Sequence, residues 1–294
     1  MSQVRTHSAA IDDAVAQLRG LLGDGARFEA ELLLAATLGV NRATLVAHAR
    51  EPCDADALAV YRERVARRAA GEPFAYITGR RGFWSLDLTV TPDVLVPRPE
   101  TELLVERALA LGDRLSDLLG KKALELADLG TGSGAIALAL ASARPDWQIV
   151  ATDISPAALE VARGNAIRLR IDSVAFFEGE WWAPLSRQKF EMVVSNPPYV
   201  AADDPAMLDP ALQHEPRIAL TPGVDALAAL RAIIASAGRH VRPGGALLLE
   251  HGADQAPQVA DLLVAQGFDH VRSHADLAGH LRVTEGRWLT SQTI

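Results

Sequence analysis

The sequence is poor in cysteine and lysine: Cys53 stands alone, and there are three lysines in 294 residues. A single cysteine forms neither an internal disulfide nor a cysteine-based zinc site, so packing is its expected role and a reducing compartment its expected setting. Scarce lysine, a net charge of −8 and a pI near 5.5 argue against a broad, sequence-independent grip on DNA or RNA. No apolar run approaches the roughly 18 residues of a membrane span, and the N-terminus lacks the apolar core of a signal peptide, so a cytoplasmic location is expected. Internal repeats and low-complexity tails are also missing. What the chain does have is 49% hydrophobic residues, enough for one large α/β domain with a smaller one attached.

From about Ile11 to Gly71 apolar residues recur at helical spacing, through Val15, Leu18, Leu33, Leu34, Tyr61 and Val65. Gly23 to Gly25 and Gly39 to Asn41 supply stops, and Asp54 is placed to cap the helix after it. Arg62, Arg64, Arg67 and Arg68 crowd that helix; they suit an acidic partner or RNA, or simply a solvated face. Between Gly71 and Thr91 the period changes to two, with Phe83, Trp84, Leu86, Leu88 and Val90, which predicts a hairpin. Pro97-Arg98-Pro99-Glu100-Thr101-Glu102 follows. Its prolines stiffen an extended segment that presents Arg98 to a ligand or uses it as a brace, and Thr101 with Glu102 starts a long helix.

After Lys121 strands alternate with helices, the pattern of a parallel sheet covered on both faces. The strand Ala123 to Ala127 runs into Asp128-Leu129-Gly130-Thr131-Gly132-Ser133-Gly134, whose glycines let a ligand approach the main chain at the start of the helix Ala135 to Ser142. Asp153, ending the next strand, is suited to ribose hydroxyls. Gly130, Gly132 and Ala135 also satisfy the looser dinucleotide pattern, so NAD has to be weighed. Asp128 before the glycines and Gly134 after them favour S-adenosylmethionine, with Asp128 toward its amino group, the glycines along its methionine part and Asp153 at its ribose. Glu180 and Trp181, after the strand Val174 to Phe177, are candidates for the adenine amino group and for stacking; covering the sheet edge is the plainer role for Trp181 and Trp182.

The strand Phe190 to Ser195 is stopped by Asn196-Pro197-Pro198-Tyr199. Two prolines cannot continue a central strand, so its tip becomes a rigid ledge. There the Asn196 side-chain carbonyl and the Pro197 backbone carbonyl offer two acceptors to one planar NH2 group, Pro198 excludes water, and Tyr199 adds an aromatic face. Beyond it, Ala201 to Pro222 is a long proline-rich connection of the kind that forms lids. His214 and Glu215 within it make a poor metal site and are expected to form loop hydrogen bonds. Arg242-Pro243-Gly244-Gly245 reads as a turn into the strand Ala246 to Glu250. His251 has no nucleophile motif nearby and is expected to pack or cap.

With Asp-Leu-Gly-Thr-Gly-Ser-Gly at 128 to 134, Asn-Pro-Pro-Tyr at 196 to 199 and Pro-Arg-Pro-Glu-Thr-Glu at 97 to 102, the chain resembles the release factor glutamine methyltransferases (PrmC/HemK) over nearly its whole length. Gly71-Glu72-Pro73, Phe83-Trp84-Ser85, Leu249-Glu250-His251-Gly252 and Asp276-Leu277-Ala278-Gly279 belong to the same likeness. The resemblance implies an α/β fold: a class I, Rossmann-like S-adenosylmethionine-dependent methyltransferase domain at 97–294, a small N-terminal helical substrate-recognition domain at 1–78 and a β-hairpin linker at 79–96. It implies methyl transfer to the side-chain amide of the glutamine in the Gly-Gly-Gln motif of class 1 peptide chain release factors. Asp128, Gly130, Thr131, Gly132, Ser133, Gly134, Asp153, Glu180, Trp181 and Asn196 would bind cofactor; Arg98, Glu100, Thr101 and Asn196 to Tyr199 would hold substrate. Glu180 stands where an aspartate is familiar, and His280-Leu281 where a more charged pair is usual.

The same ledge would grip an adenine, cytosine or guanine amino group, so a nucleic-acid methyltransferase is a rival reading, as are a glutamine methyltransferase acting on a ribosomal protein and a non-catalytic cofactor-binding subunit. The acidic charge and scarce lysine disfavour DNA; an intact Asn-Pro-Pro-Tyr disfavours a merely binding role. No metal is expected, and the chain is expected to be monomeric.

Overall fold

The computed structural model describes residues 5–289, which form two compact units. The first runs through Gly79 and takes in the stretch Pro210–His214; the second comprises Arg80–Asp209 and the chain from Glu215 onward.

In the first unit α1 (His7–Leu22), α2 (Ala26–Leu38), α3 (Arg42–Ala47) and α4 (Ala55–Ala69) are followed by α5 (Phe74–Thr78). Gly39 ends α2 in the left-handed conformation, and Asp54 caps α4 by accepting from the Asp56 and Ala57 N–H groups. Ile11, Leu18, Leu33, Leu34, Leu45, Tyr61 and Val65 form its core. Tyr61, fully buried, donates to the Ala30 carbonyl at 3.0 Å, so its hydroxyl is satisfied within that core. Three of the four crowded arginines are already engaged: Arg67 with Glu72 at 2.5 and 2.8 Å, Arg68 with Glu29 at 2.6 Å, and Arg64 with Thr37 at 3.1 Å. They brace the unit's own helices. The short α5 falls in the segment read as the approach to a hairpin; five residues are too few to display a helical period.

In the second unit, β1 (Arg80–Phe83) and β2 (Leu86–Thr89) form an antiparallel hairpin, and Phe83, Leu86 and Leu88 join the core beneath α6 (Glu102–Leu119). Next come β3 (Glu125–Leu129), α7 (Ala135–Ala143), β4 (Gln148–Asp153), α8 (Pro156–Leu169), β5 (Val174–Glu178), β6 (Phe190–Ser195), α9 (Arg217–Leu220), α10 (Ala228–His240), β7 (Val241–Glu250), α11 (Ala256–Gln266), β8 (Asp269–Ala275) and β9 (Leu281–Trp288). Seven strands make one sheet in the order β5-β4-β3-β6-β7-β9-β8, parallel except that β9 is antiparallel to both neighbours.

Alternation along the strands sends Leu126, Met192, Val194 and Leu248 toward α6 and α7, and Ala127, Leu129, Val193 and Leu249 toward α10 and α11. All six residues of β6 are buried, as expected of a strand covered on both faces. β7 begins at Val241, earlier than the turn reading of Arg242 to Gly245 allows. Val241 pairs with Phe190 and Ala246 with Met192, so the Pro-Gly-Gly stretch is an irregularity within the strand. Among the described residues no helix is long and apolar enough to cross a membrane.

Candidate active site

Chain order reverses between β3 and β6, where open α/β sheets form a crevice at the carboxyl ends of their strands. Leu129 lies opposite both Thr152 on β4 and Ser195 on β6, so Gly130, Asp153 and Asn196 emerge together at that edge. A cavity of about 390 Å³ opens there, lined entirely by residues of the second unit.

The glycine loop forms one wall. Gly130, Gly132 and Gly134 all have positive φ, and the Gly130 and Thr131 N–H groups both donate to the Thr152 carbonyl, at 2.8 and 2.9 Å. A Cβ at Gly130 would come within 3.1 Å of the Trp181 ring, whereas nothing lies within 4 Å of one at Gly132. Trp181 itself has φ 45°, a strained value for a non-glycine residue, and its carbonyl accepts from Thr152 Oγ1 at 3.1 Å. Trp182 turns away into the core, donating to the Ile233 carbonyl at 3.0 Å and stacking on His240 at 4.6 Å.

Two carboxyls serve the loop differently. Asp153 lines the cavity and accepts from the Gly132 and Ser155 N–H groups at 2.8 and 2.9 Å; burial raises its pKa, opposed by those N–H donors. Asp128 is fully buried and does not line the cavity. Its Oδ2 accepts from Thr131 Oγ1 at 2.7 Å and from the Ala137 N–H at 3.2 Å, while Oδ1 has no partner among the described residues. Burial pushes its carboxyl up to about 7, against the pull of Thr131 and Ala137 and with a further push from Asp153.

The ledge is clamped from several sides. Ser195 Oγ donates to the Leu129 carbonyl at 2.6 Å, Gln255 Nε2 to the Tyr199 carbonyl at 2.9 Å, and the Val200 N–H to the Leu220 carbonyl at 3.1 Å. Asn196 and Pro198 line the cavity; Pro197 is buried beside them, and Tyr199 lies behind, its hydroxyl donating to Glu250 at 3.3 Å. Asn196 Nδ2 donates to Thr101 Oγ1 at 3.1 Å, which leaves its carbonyl oxygen as the end available to a ligand.

Arg98 and Thr101 line the cavity, whereas Glu100 is exposed and does not. Arg98 also donates to Glu215 at 2.5 Å, and the other Glu215 oxygen accepts from the Val96 N–H at 3.0 Å. Glu215 is 4% exposed, so this clasp fixes the long connection where Pro216, Ile218 and Thr221 close the cavity. Of the other expected cofactor residues Thr131, Ser133 and Glu180 line the cavity, whereas Gly134 does not, a Cβ there meeting Leu138 and Ala162.

Several contributors escaped the sequence reading. Asn165, buried inside α8, accepts from the Thr89 N–H and donates to the Thr89 and Ser133 carbonyls, tying β2 to the glycine loop. Its only signal is an asparagine in a helix interior, where it is unfavourable unless used. Ile154 and the alanines 228, 229 and 232 of α10 also line the cavity, and Glu250 lies beneath the ledge. His251 packs as expected: Nδ1 bonds the Gly252 carbonyl at 2.8 Å and Nε2 the Thr284 hydroxyl at 2.7 Å, and burial lowers its pKa. Among the described residues no group of three or more His, Cys, Asp and Glu is placed to hold a metal ion.

Residues 9–79 match the family described as PrmC N-terminal domain, and residues 110–223 the family described as Methyltransferase small domain. The chain is similar to the release factor glutamine methyltransferase of Burkholderia pseudomallei, at 51% identity over 265 residues, covering 88% of this chain and 91% of that protein. It is similar to the release factor glutamine methyltransferase of Vibrio cholerae at 42% identity, covering 98% of each. A solved T. thermophilus 16S rRNA N2 G1207 methyltransferase, in complex with AdoMet and guanosine, shares 20% identity at a TM-score of 0.50, covering 71% of this chain and 49% of that one, a likeness of fold alone.

Proposed function

The chain belongs to the release factor glutamine methyltransferase family, and from that premise we propose that it methylates the side-chain amide nitrogen of the Gly-Gly-Gln glutamine in class 1 peptide chain release factors. The cofactor is S-adenosylmethionine, which supplies an electrophilic methyl group when bound. The residues present fit it: the open space over Gly132 and the Asp153 carboxylate form a cradle for a nucleoside with an amino-acid tail. Gly130 to Gly134 and Asp153 are assigned to that cradle, with Glu180 and Trp181 at its base-binding end and Asp128 behind the loop.

The observation that carries the reading is Asn196 anchored through its nitrogen to Thr101, so that a carbonyl oxygen is offered to the cavity. A glutamine amide nitrogen is a poor nucleophile because its lone pair is delocalised into the carbonyl. The Asn196 side chain and the Pro197 carbonyl would each accept one N–H of that NH2 group, holding its plane so that the lone pair points into the cavity. No general base is needed before transfer, since the proton becomes acidic only once the nitrogen carries the additional group. Pro198 and the loop around Ile218 keep water from the site.

Mass spectrometry of a class 1 release factor incubated with the protein and S-adenosylmethionine tests this. One methyl on the Gly-Gly-Gln peptide is expected, and Asn196→Ala should lower kcat/KM by about 10²–10³-fold, the usual cost of removing one such polar contact. Transfer to a ribosomal protein or to RNA instead would discard the substrate and keep the chemistry.

A further inference from the structure

A second cavity, of about 440 Å³, opens at the opposite end of the sheet from the first, where the parallel strands β3, β4, β6 and β7 begin. Glu125 pairs with Gln148 at that edge and Phe190 with Val241, so the length of β3 separates the two cavities, about 16 Å for its five residues. Its lining belongs to the second unit, and none of it is shared with the first cavity. Its charges do not cancel. Buried Glu191 accepts from Lys121 Nζ and from the Glu125 N–H, both at 2.8 Å, and Arg242 donates to Glu125 at 2.8 Å and lies 3.3 Å from Glu191. Two carboxylates thereby satisfy two cations. Arg187 and Lys189, which also line the cavity, are exposed, and among the described residues no carboxylate pairs with either. In a chain of net charge −8 this is a concave site with two unmatched positive charges.

The loop that carries these two cations is held. Gln188, between them, donates its N–H to the Leu185 carbonyl at 2.7 Å, and its own carbonyl accepts from Nδ1 of buried His240 at 3.1 Å, the ring that stacks on Trp182. A fixed backbone at the middle residue lowers the cost of ordering the side chains on either side when a ligand arrives. A guanidinium fork and an ammonium suit the oxygens of a phosphate. Gln148 adds an amide donor, and Val150 and Phe190 supply an apolar part of the lining that an inorganic ion would leave unused. The volume falls within the range of small-molecule sites, roughly 300–1,000 Å³, and is larger than a single phosphate needs. We propose that this cavity binds a small phosphate ester, its phosphate held by Arg187 and Lys189 and its organic part resting on Val150. Glu125 in the same lining does not repel such a ligand as a free charge would, because Arg242 and Lys121 hold its carboxylate at 2.8 and 3.5 Å.

The test is titration calorimetry of the full chain, saturated with S-adenosylmethionine so that the first cavity is filled, using uridine 5′-monophosphate, uridine and inorganic phosphate as probes, with backbone amide NMR to locate them. The nucleotide should bind with a Kd of about 1 mM or tighter and shift the amides of residues 187–189, while uridine should not bind. Its affinity should weaken at least about threefold as salt is raised, since both cations are exposed and screened. Arg187→Gln combined with Lys189→Gln should weaken nucleotide binding at least about tenfold and leave methylation of a release factor unchanged. Both side chains are exposed, so the double variant is expected to fold. Inorganic phosphate that binds at residues 187–189 as tightly as the nucleotide would overturn the ester and keep the phosphate contact. Uridine binding as tightly as the nucleotide, an unchanged nucleotide affinity in the double variant, or no heat and no shifts at about 10 mM nucleotide would overturn the proposal outright. None of these outcomes touches the methyl-transfer reading, whose failure would show instead in the release factor assay.

Discussion

Asp128 is a carboxyl buried on the dry side of the glycine loop, and its energetics differ from those of every carboxylate at the surface. Its usual pKa is about 3.9, and in the folded chain burial raises it to about 7. A group whose folded pKa lies above its unfolded value contributes stability that is full below about pH 4 and is lost as pH rises through about 7. The thermal midpoint of the wild type should accordingly fall between mildly acid and mildly alkaline pH, and Asp128→Asn should flatten that fall, because the amide still accepts from Thr131 and Ala137 without a charge to desolvate. Scanning calorimetry across that pH range decides it; parallel curves for the two proteins would mean that Asp128 does not carry the ionisation. Glu250 acts in the same direction, so a residual slope is expected in the variant. At this scale the sequence is half legible. Asp128, Asp153 and Asn196 announce themselves by standing at strand ends, Asp128 just before the glycine loop and Asn196 before two prolines. Asn165, Glu215 and Glu250 do not, because each acts through partners at least 32 residues away in the chain, and no local pattern encodes such a pairing.

Among the elements, the connection between β6 and α10 has the least regular structure and the most influence on the cavity. Glu215 ties it to the segment before α6, accepting from the N–H of buried Val96 and from the Arg98 guanidinium. Glu215→Ala would leave the Val96 N–H buried without a partner, a loss of about 1–3 kcal/mol. Arg98 is a third exposed and can turn to water, so its share is smaller. Hydrogen exchange should quicken across residues 216–222 in that variant and stay unchanged in α6. Unchanged exchange in the connection would mean that backbone bonds such as Val200 to Leu220 hold it alone. The elements themselves were readable wherever a period had room to repeat, as in α6 or β6. Where it had none, the five residues of α5 read as the approach to a hairpin and form a short helix, and where Pro-Gly-Gly interrupts β7 local chemistry pointed to a turn while pairing in the sheet prevailed. The reversed direction of β9 was not legible either, since a strand's side-chain alternation is the same whichever way it runs.

For the whole molecule, the division of labour follows from which residues lie where. Every residue lining the cavity belongs to the second unit, while the first has a core of its own and uses most of its clustered arginines internally. None of the described residues of the first unit lines the cavity, and we propose that this unit recognises the substrate protein. A chain beginning at Arg80 is expected to bind S-adenosylmethionine with a Kd within about threefold of the full chain, a shift of less than 1 kcal/mol. It should methylate a short Gly-Gly-Gln peptide at the rate of the full chain. On an intact release factor its kcat/KM should fall at least about tenfold, with the loss in KM, because binding surface remote from the reacting atoms has been removed. Calorimetry with the cofactor and parallel assays on peptide and factor separate the possibilities. Full activity on the intact factor would place recognition in the second unit after all, and loss of cofactor binding would show that the cavity needs the first unit to keep its shape.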